Sequence, residues 1–145
     1  MSLPQRKYRE IVFQFLYSLE LSPNDLKNTD LLIECLSDEL KISKGHLNKA
    51  LETAKQIYAE REQLDALLSS VVIDYSFERI QIVEKSILRL ALYEMRLSVP
   101  TPGSVAISEA IRLAKKFGNP ESSSFINALL DKLMLKEEGH ADPEG

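Results

Sequence analysis

Residues 77–97 read FERIQIVEKSILRLALYEMRL, and this stretch decides the fold. At about 100° per residue, Ile80, Val83, Ile87, Leu88, Leu90, Ala91, Leu92 and Met95 cover most of a helical wheel. Lys85, Arg89 and Arg96 mark its one clearly polar sector. A helix apolar nearly all round has to be surrounded, so the pattern predicts a central helix over Phe77–Leu97. Glu84 and Glu94 project within or beside the apolar arc. A carboxylate there needs a partner, because burying it alone is costly. That partner is a structural ion pair, a helix-end contact or another protein. The two carboxylates lie about 15 Å apart along a helix. That is too far for the paired acid and base of a glycosidase.

Outward from this segment, turn signals divide the rest of the chain. Upstream, the first helix runs from Pro4 to Leu21 and ends at Ser22-Pro23-Asn24. A second runs from Asp25 or Asp30 to Leu40, and Ser43 caps a third, long helical region reaching Leu68. Ser69 to Ser76 holds Val71, Val72, Ile73 and Tyr75, whose β-branched members weaken helix, and reads as a break between two halves, with a short helix or a bent continuation as the alternatives. Downstream, Pro100-Thr101-Pro102-Gly103 closes the central helix, and Ser104 caps a helix to Phe117. Gly118 stands where a left-handed C-terminal residue is expected. Asn119 and Pro120 restart the chain as N-cap and first helical residue of a last helix ending near Lys136. The acidic tail from Glu137 to Gly145 is expected to be disordered.

No stretch alternates with period two for long enough to form a strand. The expectation is an all-α protein of about six to seven helices. It forms one domain, 1–136, built as two small helical bundles (1–75 and 76–136) sharing one core. The chain has 145 residues, 44% hydrophobic and 28% charged, with only 5 Gly and 6 Pro, which fits one globular domain with long elements.

The formal net charge is −4. That argues against a whole-protein electrostatic grip on nucleic acid, so a local patch has to be sought. The first helix holds one. Tyr8, Val12, Phe15, Leu16 and Leu19 share the core side of its wheel, while Arg6, Arg9, Phe13 and Tyr17 fall on a second line with Lys7 beside Arg6. Cations followed by aromatics suit single-stranded RNA, where cations neutralise phosphates and aromatic faces accept unstacked bases. The competing reading is that Phe13 and Tyr17 pack against the second half of the protein while the cations are simply solvated.

Familiar catalytic and metal motifs are missing. The two histidines, His46 and His140, and the single Cys35 form no cluster with zinc spacing. Neither phosphate-cradling glycine motif occurs. Cys35 lies among Leu32, Leu36 and Leu40 and reads as a buried, inert thiol. The carboxylates between Asp25 and Glu39 read as a solvated face. No enzyme activity, metal or cofactor is expected. With no apolar leader, no apolar run near the roughly 18 residues of a membrane span, and no possible internal disulfide, a cytoplasmic location is expected.

At this point the residues resemble a known bacterial family. Val83-Glu84-Lys85-Ser86-Ile87-Leu88-Arg89-Leu90-Ala91-Leu92-Tyr93-Glu94 is similar to the central signature of NusB transcription antitermination factors. Val105 to Gly118 and Ser124 to Lys132 continue it, and Arg9-Glu10, Gln14, Leu16-Tyr17 and Leu21-Ser22 match the family's opening helix. The resemblance is strong over Ile82–Leu133, clear over Arg6–Leu26 and weak between.

The resemblance implies two three-helix-type bundles that bind boxA-type single-stranded RNA together with NusE, a small-subunit ribosomal protein. The complex helps RNA polymerase read through terminators, notably in ribosomal RNA operons. The family's RNA-contacting positions fall here on Arg6, Lys7, Arg9 and Tyr17, and on the start of the last helix, including Glu121, Ser122 and Phe125. Glu84 matches a carboxylate associated with the NusE interface. Two departures stand out. Gln5 and Tyr8 interrupt the opening arginine run, and Asn127-Ala128 stands where Asn-Gly is frequent, implying close helix packing relaxed by a methyl group. Two rivals remain. One is a structural homodimer or larger homo-oligomer using the Phe13/Tyr17 stripe. The other is a stand-alone RNA-binding module of the kind fused to RNA cytosine methyltransferases. The methyl-donor domain is expected to be absent, because the chain ends after the helical module.

Overall fold

The computed structural model describes residues 3–23, 29–71, 80–96 and 101–141, with side chains described as far as 136. Among these residues there are seven α-helices and no strand. They are α1 (Gln5–Leu21), α2 (Thr29–Leu40), α3 (Lys44–Ala59), α4 (Arg61–Ser69), α5 (Ile82–Arg96), α6 (Gly103–Phe117) and α7 (Ser122–Ala141). Asn24 and Asp25, the later part of the expected break (Val72 to Ser76), Phe77 to Arg79, Leu97, Pro100 and the last residues of the expected tail (142–145) lie outside the described residues. The chain divides into two compact units, Met1–Glu60 and Arg61–Gly145.

In the first unit α1 packs along α3, and α2 also lies on α3. Val12, Phe15, Leu16 and Leu19 of α1 are buried, as are Leu47, Ala50, Leu51, Ala54 and Ile57 of α3. These are the helical spacings of facing stripes, and each large side chain so buried contributes about 1.5–3 kcal/mol before its ordering cost. Tyr8 is only half-buried, and its hydroxyl shares a hydrogen bond with Thr53 Oγ1 at 2.6 Å. Ser43 caps α3 as the sequence predicts, accepting from the His46 N–H. The helical region does not run unbroken to Leu68. Glu60, at φ −94° and ψ 9°, ends α3 in the sparsely allowed bridge region, and α4 starts at the next residue.

Helix α2 buries one residue, Ile33. Leu31 is 68% exposed, and Cys35 is exposed rather than buried, because the helix turns only a thin edge inward. After Leu40 the chain turns through Lys41 at φ 58°, a left-handed terminus more often given to glycine.

In the second unit α5 packs against α4, α6 and α7, and α6 packs against α7. Every residue from Ser86 to Tyr93 is buried, so the all-round apolar wheel does mark the central element. The helix starts later than its pattern, at Ile82, with Ile80 and Gln81 ahead of it. Arg89 is not on a solvated sector. It is 4% exposed and forms a two-pronged ion pair with Asp65 of α4, at 2.8 Å from Nε and 2.7 Å from Nη2.

Four details at α6 and α7 differ from the sequence reading. Pro102, not Ser104, stands at the N-cap of α6. Gly118 is extended at φ −96°. A Cβ there would lie 2.8 Å from the Ala114 carbonyl oxygen and from Ser122 Cβ and Oγ, so close approach and not backbone handedness demands glycine. Helix α7 continues past Lys136 to Ala141, so the first part of the expected tail is helical. Ala128 is exposed, so its methyl group loosens no helix packing.

Candidate nucleic-acid interface

The candidate residues occupy two places, one in each unit. In the first unit they lie on α1. Its N-terminus begins after Pro4, whose fixed φ suits a helix start and which offers no side-chain cap. Arg6 is exposed, while Lys7 and Arg9 are half-buried, and all three sit in the first turns. The expected stripe is then interrupted. Phe13 is 3% exposed, so its face is not open to a base. Tyr17 remains half-exposed, with its ring centroid 6.4 Å from that of Phe13 and a 39° interplanar angle. The buried ring thus fixes the Tyr17 ring. The α1 surface is a cationic end followed, past a buried link, by one partly open aromatic.

In the second unit the candidates gather where α5 and α7 begin. Gln81 supplies the first carbonyl of α5, accepting from the Lys85 N–H at 2.8 Å. Three residues on, Glu84 reaches back and accepts from the Gln81 N–H at 3.4 Å, the geometry of a capping box. Its other oxygen accepts from the Ser122 hydroxyl at 2.8 Å. Ser122 in turn accepts from the Asn119 N–H at 3.2 Å, and the Asn119 side-chain oxygen accepts from the Glu121 N–H at 3.1 Å. Asn119 therefore caps the turn before α7, while the regular helix starts at Ser122. The Asn119 amide donates to the Gln81 side-chain oxygen at 3.2 Å and closes a circuit of four residues.

Burial sorts these residues. Glu84 is 8% exposed and Ser122 is 0% exposed, so Ser122 offers no surface to a ligand and acts through its neighbours. Glu121 is exposed and Phe125 is half-buried, so those two lie at the surface of the α7 start. Of the readings left open for Glu84, the helix-end contact is the one this geometry displays. Sequence reasoning read Asn119 as a cap but missed its bond to Gln81, the role of Gln81 itself and the Asp65–Arg89 pair. The Gln81–Glu84 spacing was the one available signal. Lys115 and Lys116, exposed in the last turn of α6, also went unread. A groove of about 420 Å³ lined by Ser104, Ile107, Ser108, Ile111, Asp131 and Met134 contains none of the candidate residues. Among the described residues no cluster of acids, histidines or cysteines is placed to hold a metal, and no helix is long and apolar enough to cross a membrane.

A family model described as the NusB family matches residues 6–135, spanning both places.

The chain belongs to the NusB family.

A NusB relative from Chlamydia pneumoniae, a transcription antitermination protein by name, is 37% identical over 130 residues, covering 90% of this chain and 79% of its own. The solved T. maritima NusB superposes with a TM-score of 0.75 at 30% identity, covering 92% of each chain. NusB in a structure of the antitermination factors NusB and NusE with double-stranded RNA shares the fold, with a TM-score of 0.70 at 21% identity over 89% of this chain and 94% of that one. NusB proteins are transcription antitermination factors and not enzymes.

Proposed function

We propose that this NusB-family chain is a cytoplasmic antitermination factor that binds boxA-type single-stranded RNA jointly with the ribosomal protein NusE, promoting read-through by RNA polymerase in ribosomal RNA operons. The family match over residues 6–135 carries the reading. The NusB of the same fold solved with NusE and double-stranded RNA supports the choice of NusE and of RNA as partners, while the single-stranded form follows from the family resemblance. Arg6, Lys7 and Arg9 supply phosphate contacts, and Tyr17 a partial stacking face. Glu121 and Phe125 contact RNA at the start of α7, held in place by Ser122. Glu84 marks the side that meets NusE. With a net charge of −4, this chain alone grips RNA weakly, and the ribosomal protein adds cations to a composite site.

A gel-shift titration with boxA RNA and a scrambled control, each with and without the ribosomal protein, tests this. The expected result is weak binding alone and tighter, boxA-selective binding in its presence. Equal affinity for both RNAs, or no gain from the partner, overturns the reading. Light scattering across a concentration series tests the homodimer reading alongside: a monomer at all concentrations removes it.

A further inference from the structure

The Ser122 hydroxyl carries one hydrogen but has two acceptors in reach. Glu84 Oε2 lies at 2.8 Å and Asn119 Oδ1 at 3.0 Å. Donating to the carboxylate is the stronger choice, because the bond is charge-assisted. It also leaves the Asn119 oxygen wholly to the Glu121 N–H. If the hydroxyl turns to Asn119 instead, the carboxylate loses a donor and the Asn119 oxygen is shared. These are two discrete arrangements of one buried group, which is what coupling between distant contacts requires. One arrangement leaves a Glu84 oxygen available to an outside cation. The other acceptor holds the turn that sets Glu121 and, one turn on, Phe125. Gln81 and Asn119, the other two members of the circuit, are exposed and so lie open to an arriving protein.

We propose that the Glu84–Ser122 hydrogen bond is the physical link through which partner binding changes RNA binding. A cation from the partner takes over Glu84, the Ser122 hydroxyl swings to Asn119, and the start of α7 is reset. This rests on the reading above, which gives the Glu84 side to the partner and the start of α7 to RNA. In this link Glu84 and Ser122 are positioning residues.

The test compares boxA RNA affinity with and without the ribosomal protein for the unaltered chain, Ser122→Ala, Glu84→Gln and the double variant. The readout is the ratio of the two affinities. Coupled sites commonly show ratios of about 5–150. The expectation is a ratio in that range for the unaltered chain, falling below about twofold in each single variant and no lower in the double. A purely structural role lowers stability and both affinities together but leaves the ratio unchanged, so thermal melts by circular dichroism accompany each titration. Glu84→Gln keeps the side chain's size and an acceptor for the Gln81 N–H, so it supplies the ratio if Ser122→Ala does not fold. An unaltered ratio in a folded variant overturns the link alone. A ratio near one in the unaltered chain overturns the partner-assisted reading itself, and the link with it.

Discussion

Two single residues carry large structural consequences. Asp65 neutralises an arginine that is 4% exposed at the centre of the second unit. Removing Asp65 takes a two-pronged acceptor from a buried guanidinium, and breaking such a pair costs about 3–5 kcal/mol. Asp65→Ala is therefore expected to lower the unfolding free energy by about 3 kcal/mol in urea titration. Pairing it with Arg89→Met is expected to recover most of the loss. Asp65→Ala with unchanged stability would show the pair to be solvated. Gly118 makes a different case. Its backbone is extended and open to any residue, yet a methyl group there meets a carbonyl and Ser122 at 2.8 Å. Gly118→Ala is expected to cost about 1–3 kcal/mol by overpacking, seen as a fall in melting temperature. A neutral result would mean that α7 moves aside freely.

Among the elements, α5 and α1 were the most legible in the sequence. The wheel of α5 left only a narrow polar sector, and the run Ser86 to Tyr93 is indeed buried. Pro4 and Ser22-Pro23 bracket α1 as their backbone limits require. What was illegible has a common cause: it depends on neighbours remote in the chain. Arg89 looks solvated until Asp65, 24 residues earlier, is brought to it. Glu84 reads as a lone carboxylate until α7 delivers Ser122 from 38 residues away. Cys35 sits among leucines in sequence, but α2 turns only Ile33 fully inward. The break at Glu60 had no glycine or proline to announce it. The turn after α2 does have a local signature, a lysine at φ 58°. Lys41→Gly is expected to stabilise the protein by about 0.5–1 kcal/mol by relieving that conformation, measured by thermal denaturation. A loss of stability would instead show that the lysine side chain holds the turn.

At the scale of the whole molecule, the proposed RNA site on this acidic chain offers few cations to phosphates. Taking Arg6, Lys7 and Arg9 as its three phosphate contacts, as proposed, gives a salt slope of about −2 on single-stranded RNA. Raising salt from 50 to 200 mM is then expected to weaken boxA binding by the isolated chain about 20-fold. Arg6→Ala with Arg9→Ala is expected to flatten the slope by about 1.4 without loss of helical circular dichroism. An unchanged slope would place the RNA elsewhere. A further consequence concerns the order in which the native protein opens. Helix α2 contributes Ile33 as its only buried side chain, whereas α5 is enclosed through its middle. Releasing α2 exposes little apolar area, so its amides are expected to exchange with deuterium through local opening while those of Ser86 to Tyr93 wait for global unfolding. Equal protection in the two helices would refute this. Cys35, on the same loosely held helix, is already exposed, so its thiol is expected to react with a labelling reagent without any opening of α2.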